Sequence, residues 1–180
     1  MTFCLDTVII PPENDQPIKN AVILLHGYGG DGNDISLLTL NWKRFLKNTV
    51  FLCPNGHEVC EINPQGFQWF DLTQDNKEYI LEKSKKAEIV INKFIEEVKT
   101  KYKISNKDIV LSGFSQGCMM SINVGVTCKD EFNSIVGFSG KIINNDDLQS
   151  RLQNKSKILL IHGNKDDIVN STFLLEAKDF

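Results

Sequence analysis

The chain has 180 residues, five cysteines and a formal net charge of −3. This length suits one domain with a sizeable core, and the charge gives no electrostatic case for nucleic-acid binding. An odd number of cysteines without metal-type spacing predicts reduced thiols and no bound metal. The sequence shows neither a signal peptide nor an apolar run of membrane length, so we expect a soluble cytoplasmic protein.

Short apolar runs alternate along the chain with longer amphipathic ones. Residues 21–25 form a continuous apolar run, typical of a strand buried on both faces, and prolines and glycines predict a long loop over 54–68. In chain order we predict an outer strand at 8–10, then strands at 21–25, 49–53, 108–111, 134–138 and 157–161, and helices at 34–47, 77–102, 118–122, 146–152 and 171–180. This alternation indicates an α/β fold with a mostly parallel sheet.

The sequence Gly-Phe-Ser-Gln-Gly at 113–117 follows an apolar strand and opens a predicted helix. A Gly-x-Ser-x-Gly in this position is the signature of a nucleophile elbow, which lifts the serine hydroxyl above the sheet at the positive end of the helix. Both glycines are needed because a Cβ there would collide with neighbouring backbone. Ser115 is therefore the candidate nucleophile, and a glycine-rich turn without chemistry is the alternative.

A second glycine-rich segment, at 26–32, directly follows the strand at 21–25. Acyl transfer needs backbone N–H donors aimed at the developing oxyanion, and we assign this role to the N–H groups of Tyr28 and Gln116. A phosphate-binding turn is disfavoured, because no lysine follows and the third glycine of a dinucleotide site is misplaced. His26 precedes the elbow in this loop, so we interpret it as a structural residue.

The loop at 161–169 follows another strand and contains Asp166 and Asp167. A carboxylate at the C-terminal end of a parallel strand lies at the same edge of the sheet as the elbow. Either aspartate is a candidate for the acid that orients a catalytic histidine. The alternative role is a helix N-cap, which suits Asp167 better.

These motifs, together with Trp-Phe-Asp at 69–71, resemble in sequence and order the phospholipase/carboxylesterase family of α/β-hydrolases, which includes the acyl-protein thioesterases. The resemblance covers most of the chain and implies an α/β-hydrolase fold with helices on both faces of the sheet. It implies Ser115 as nucleophile, Asp166 as acid, and Tyr28 and Gln116 as oxyanion donors. It also implies hydrolysis of carboxylic esters or thioesters in small-molecule or acylated substrates, without metal or cofactor, by proteins that often form homodimers.

The expected acyl pocket is shaped by the 54–68 loop and the aromatic residues beside it. Trp69 and Phe70 are the candidate substrate contacts, although aromatic residues at these positions fit a core role equally well. Thioesters, lysophospholipids and short-chain esters all remain open as substrates.

The chain departs from the family pattern most seriously at the catalytic histidine, which in the family lies past the acid and one further strand. Fourteen residues follow Asp166 (180 − 166), and none is a histidine. His57 lies in the 54–68 loop without a local pattern that would orient it toward a serine. We therefore expect residues 1–180 to form one domain that is C-terminally incomplete, with an open sheet edge and little turnover. Smaller departures occur at Cys118, Asp167 and Asn170.

Two hypotheses about function follow from these features. The first is a serine carboxylesterase, lysophospholipase or acyl-thioesterase that forms an acyl-enzyme on Ser115. The alternative is a non-catalytic, hydrolase-like domain that binds an acyl ligand or a protein and lacks the catalytic histidine. A dienelactone-hydrolase-like enzyme is disfavoured, because that chemistry uses a cysteine at the elbow.

Overall fold

The computed structural model describes residues 2–13 and 16–180, which are organised around a six-stranded sheet. Its strands, in spatial order, are β1 (Thr7–Ile10), β3 (Thr49–Pro54), β2 (Asn20–Leu25), β6 (Ile109–Phe114), β7 (Ser134–Phe138) and β8 (Ile158–Ile161). A separate hairpin consists of β4 (Glu58–Cys60) and β5 (Asn63–Gln68). The helices are α1 (Gly32–Ser36), α2 (Thr39–Trp42), α3 (Lys77–Tyr102), α4 (Gln116–Thr127), α5 (Asn145–Ser150) and α6 (Thr172–Asp179).

The central sheet is parallel except for β1, which pairs antiparallel with β3. Parallel neighbours need crossover connections, and the helices provide them. The carboxyl ends of β2, β6, β7 and β8 consequently meet at one edge of the sheet. The predicted α/β architecture with a mostly parallel sheet is confirmed.

Alternate side chains of β2 enter two separate cores, which explains its uninterrupted apolar sequence. Ala21, Ile23 and Leu25 pack in the core that contains the inner faces of α3 and α4. Val22 and Leu24 pack on the opposite face of the sheet, with apolar side chains from α1 and α2. Helices therefore cover both faces of this strand, as expected for a parallel sheet.

The predicted helix at 34–47 is instead two short helices, α1 and α2. The Ser36 hydroxyl donates to the carbonyl of Asn33 at 2.7 Å, and the Thr39 hydroxyl donates to the carbonyl of Ser36 at 2.7 Å. Such side-chain bonds to the preceding turn compete with the regular backbone pattern of an α-helix. The segment therefore continues as tight turns rather than as one helix.

The region 54–68 was predicted as a loop and contains the β4–β5 hairpin. Pro64 and Gly66 lie inside β5, and the register of the hairpin shifts between Val59 and Cys60. Both strands are edge strands, where a proline is tolerated because no neighbour needs its missing N–H. The turn-forming residues therefore mark an irregular hairpin here.

The sheet is open at β8. Leu159 is 55% exposed, and α6 has no buried residue. An apolar groove of about 650 Å³ lies between α4, β8 and α6, with Ile122, Leu160 and Leu174 in its lining. The part of the chain that the structure describes thus leaves one edge of the sheet uncovered.

Candidate active site

Ser115 lies at the turn between β6 and α4, where it is the N-cap residue of α4. Its backbone has φ 51° and ψ −112°, a positive φ that residues other than glycine rarely adopt. Its side chain is half-buried and makes no capping hydrogen bond to α4. The backbone N–H of Ser115 donates to the carbonyl of Phe138 at 2.8 Å, which ties the turn to the end of β7. This is the backbone geometry of a nucleophile elbow.

The glycines of the motif are required by close backbone packing. A Cβ at Gly113 would lie 2.2 Å from the carbonyl carbon of Gly117, well inside van der Waals contact. Any larger residue at 113 would therefore push α4 away from β6. The tight turn that presents Ser115 depends on the absence of that side chain.

Two backbone N–H groups beside the elbow are free to bind a ligand oxygen. Among the described residues, the N–H groups of Tyr28 and Gln116 have no hydrogen-bond acceptor. Gln116 is the first residue of α4, so its N–H also benefits from the partial positive charge at the helix N-terminus. Burial raises the pKa of the Tyr28 phenol to about 12, so this side chain is neutral.

The Gln116 side chain fixes the segment that contains Trp69 and Phe70. Its Oε1 accepts from the backbone N–H of Trp69 at 2.9 Å, and its Nε2 donates to the carbonyl of Phe70 at 2.6 Å. Both aromatic side chains are buried in the main core. The structure therefore places the two candidate substrate contacts beneath the site, in the core role that the sequence left open.

Asp166 lies in the loop after β8 and is held by that loop. Its Oδ1 accepts from the N–H groups of Ile168 at 3.0 Å and Val169 at 2.9 Å. These bonds, first that from Val169, and the hydroxyl of Ser139 lower the pKa of the Asp166 carboxyl below its ordinary value. Asp167 is exposed, whereas Asp166 is partly buried.

The segment after β7 joins Asp166 to Ser115, and sequence reasoning missed it. Ser139 has a positive φ of 49°, and its backbone N–H donates to the carbonyl of Ile161 at 2.9 Å. A Cβ at Gly140 would lie 3.1 Å from the carbonyl oxygen of Ser115. A serine and a glycine directly after a strand of the parallel sheet were the available signal, since this is the sheet edge where sites form.

The three histidines have described contacts away from the Ser115 hydroxyl. His26 is buried between the carbonyl of Gly27 and the N–H of Gly56. The Nε2 of His162 lies 2.7 Å from the carbonyl of Val169. His57 lines a separate cavity of about 420 Å³ with residues from the N-terminal segment and α3.

Two clefts lie near the elbow, the first of mixed polarity and the second mainly apolar. One, of about 320 Å³, lies beside α4 and includes Met119 and Ile142. The other, also of about 320 Å³, lies beside the loop after β2 and includes Tyr28, Leu38 and Phe114.

Among residues 2–13 and 16–180, none of the helices combines the length and the apolar character needed to span a membrane. The same residues contain no group of three or more His, Cys, Asp or Glu side chains placed to hold a metal ion.

Comparisons with known proteins agree with this architecture. The chain is 34% identical to the solved structure of esterase PE8, with a TM-score of 0.91 over 96% of this chain and 81% of that chain. The carboxylesterase of Bacillus cereus has the same fold, with 18% identity and a TM-score of 0.72 over 98% of this chain and 78% of that one.

Acyl-protein thioesterase 1 of Kluyveromyces lactis is 30% identical over 92% of this chain and 77% of that protein. The counterpart of Schizosaccharomyces pombe is 28% identical over 95% of this chain and 78% of its own length. The family model for phospholipase/carboxylesterase proteins matches residues 6–180. The chain therefore belongs to the phospholipase/carboxylesterase family of α/β-hydrolases and is related to enzymes that hydrolyse esters and thioesters.

Proposed function

We propose that Ser115 is the nucleophile of a serine hydrolase that cleaves carboxylic esters or thioesters. The observation that carries this proposal is the strained backbone of Ser115 beside two unpaired N–H groups, those of Tyr28 and Gln116. A nucleophilic hydroxyl and neighbouring oxyanion donors, here from the β6–α4 turn and the loop after β2, are the minimum machinery for acyl transfer. Family membership supports the same chemistry.

The reaction proceeds in two displacements. The Ser115 oxygen attacks the acyl carbon, its proton passes to a base, and the carbonyl π electrons move onto the oxygen that faces the N–H groups of Tyr28 and Gln116. Collapse of this oxyanion breaks the bond to the alkoxide or thiolate, which leaves with a proton. Water then attacks the acyl-enzyme in the same way, which releases the carboxylic acid and restores the Ser115 hydroxyl.

The base is the weakest part of this machinery within residues 1–180. His26 and His162 contact backbone carbonyls, His57 lies in a separate cavity, and Asp166, the proposed triad acid, is held by its own loop. We infer that these residues alone acylate slowly, since loss of a triad histidine costs about 10⁶ in rate. The oxyanion donors would still support a residual reaction with activated acyl compounds.

The cleft beside Phe114 and the family of the chain indicate the substrate class. The space beside Phe114 is mainly apolar and can accept the hydrocarbon of an acyl chain, whereas the space beside Met119 is also lined by charged side chains such as Lys141 and Glu176. The named relatives are acyl-protein thioesterases, which supports a thioester or ester of an acyl chain as substrate.

Active-site labelling tests the proposal. We expect a fluorophosphonate probe to add one phosphonyl group to the wild-type chain at Ser115, found by peptide mass spectrometry. Ser115→Ala should abolish the labelling, while Ser150→Ala, which changes an exposed serine of α5, should not. Labelling that persists in Ser115→Ala, or wild-type labelling no faster than that variant, would overturn the proposal and favour a non-catalytic acyl- or protein-binding domain.

A further inference from the structure

We propose that His26, as a neutral imidazole with its proton on Nδ1, is the positioning residue that aims the N–H of Tyr28 at the oxyanion. The proposal rests on the proposed function and gives a specific task to a histidine that does not touch the reacting atoms. It concerns the direction of one peptide unit, the one that joins Gly27 to Tyr28.

The carbonyl of this peptide unit is held from two sides. The Nδ1 of His26 lies 2.7 Å from the oxygen of Gly27, and the backbone N–H of Gly30 donates to the same oxygen at 3.0 Å. A trans peptide is planar, so its carbonyl and its N–H point in opposite directions. Holding the oxygen of Gly27 therefore sets the direction of the N–H of Tyr28, which has no acceptor among the described residues.

The other ring nitrogen determines where the proton of His26 resides. The backbone N–H of Gly56 donates to Nε2 at 2.8 Å, so Nε2 must carry a lone pair. In a neutral imidazole the proton is then on Nδ1, where it is donated to the oxygen of Gly27. Gly56 itself packs closely against the backbone of Gln68. A Cβ at position 56 would lie only 2.4 Å from the carbonyl oxygen of Gln68.

The imidazole can be changed without releasing the rest of the loop. The N–H of Gly29 donates to the carbonyl of Phe67, and the N–H of Phe67 donates to the carbonyl of Gly30, each at 2.9 Å. The amide of Asn63 also donates to the carbonyl of Gly29 at 2.7 Å. These bonds from the β4–β5 hairpin hold Gly29 and Gly30 in place. A substitution at 26 therefore acts mainly on the peptide unit that joins Gly27 to Tyr28.

Two isosteric substitutions separate the two hydrogen bonds of the ring. The amide nitrogen of His26→Asn falls close to the position of Nδ1, so this variant keeps a donor for Gly27 and loses the acceptor for Gly56. The amide of His26→Gln reaches the position of Nε2, so this variant keeps the acceptor and loses the donor to Gly27. If the donor to Gly27 sets the oxyanion site, the two variants should differ in reactivity although both alter the same buried side chain.

The test measures the second-order rate constant for labelling of Ser115 by a fluorophosphonate, whose phosphonyl oxygen takes the place of the oxyanion. We expect His26→Gln to label about 10- to 100-fold more slowly than wild type, approaching the effect of losing an oxyanion donor. His26→Asn should recover at least several-fold of that loss. His57→Gln, which changes a histidine in a separate cavity, controls for the loss of an imidazole elsewhere and should match wild type.

Thermal unfolding separates positioning from loss of fold, since both variants at 26 break one buried hydrogen bond and should lower Tm by similar amounts. Equal labelling rates for His26→Gln, His26→Asn and wild type would overturn the positioning role and leave the proposed function intact. Equal losses in both variants that track Tm would also overturn it, because the effect would then be structural. If wild type labels no faster than Ser115→Ala, the proposed function fails and the positioning role fails with it.

Discussion

Gly117 packs its α-carbon against the carbonyl of Leu25, so closely that a Cβ at 117 would lie 2.0 Å from that oxygen. Leu25 is the last residue of β2, directly before the loop that carries Tyr28, and Gly117 is in the first turn of α4. This contact therefore limits the distance between the elbow and the loop that carries Tyr28, the proposed oxyanion donor. A side chain at 117 would increase that distance.

Gly117→Ala should lower the free energy of unfolding and slow the labelling of Ser115. The added methyl meets backbone that cannot rotate away, and overpacking of this kind costs about 1–3 kcal/mol or more. Urea denaturation followed by circular dichroism measures the loss. Gly163→Ala is the matched control, because a Cβ at 163 meets nothing within 4 Å, and its free energy of unfolding should change little. Equal stability of both variants would contradict this account of the elbow.

Gln116→Ala should also destabilise the chain, because the side chain bonds the backbone on both sides of the Trp69–Phe70 peptide. Its removal leaves a buried N–H and a buried carbonyl unpaired, each at a cost of about 1–3 kcal/mol. Gln116→Glu keeps an acceptor for Trp69 but places a carboxylate against the carbonyl of Phe70, so it should restore little of the loss. Urea denaturation checks both variants.

An exposed glutamine provides the control for this substitution. Gln65→Ala removes a glutamine side chain from the surface of β5 and should alter the free energy of unfolding by about 0.5 kcal/mol or less. If Gln116→Ala were as mild as Gln65→Ala, the two backbone bonds of Gln116 would contribute nothing to stability.

Sequence predicted the elbow well because its constraints are local. The spacing of Gly113, Ser115 and Gly117 follows from one strand-to-helix turn, and the alternation of elements follows from burial of the strands on both faces. The breaks at 34–47 and the hairpin within 54–68 were not predicted. In the first case hydroxyl-to-carbonyl bonds decided between a helix and tighter turns, and in the second an edge position made Pro64 compatible with a strand.

The functional detail of the site depends on contacts that lie far apart in sequence. The partner that sets the tautomer of His26 is Gly56, 30 residues away, and Gln116 meets Trp69 across 47 residues. No local pattern encodes these distances, since the hairpin and the packing of α4 create them. Ser139 was missed for the same reason, because its relation to Asp166 exists only once β7 and β8 are adjacent.

Burial of His26 should make stability depend on pH. Desolvation lowers the pKa of its imidazole, while the bond to Gly27 and the nearby carboxylates of Asp31 and Asp34 oppose that shift. A folded-state pKa below the unfolded value of about 6.5 means that the unfolded chain takes up more protons as the pH falls. The resulting stability is fully present above about pH 6.5 and is lost as the pH drops below it.

Urea denaturation at about pH 7.5 and about pH 5 measures this loss. Burial lowers the pKa of His57 as well, so His57→Gln separates its contribution from that of His26. We expect His26→Asn to reduce the pH dependence, because an amide does not titrate in this range. If the free energy of unfolding of His26→Asn depended on pH as strongly as that of wild type, protonation of His26 would not be linked to folding.

Added imidazole should accelerate the acylation of Ser115 in the chain of residues 1–180. His26 and His162 contact the carbonyls of Gly27 and Val169, and His57 lies in a separate cavity, so the serine proton has no described imidazole acceptor. A positioned general base contributes about 10²–10⁴ to such reactions, and a diffusing imidazole should recover about threefold to tenfold of it. The measurement is the initial burst of p-nitrophenol from p-nitrophenyl acetate, corrected for hydrolysis by imidazole alone. Ser115→Ala should show no increase above that correction, whereas an identical increase in wild type and Ser115→Ala would mean that imidazole acts on the ester without Ser115.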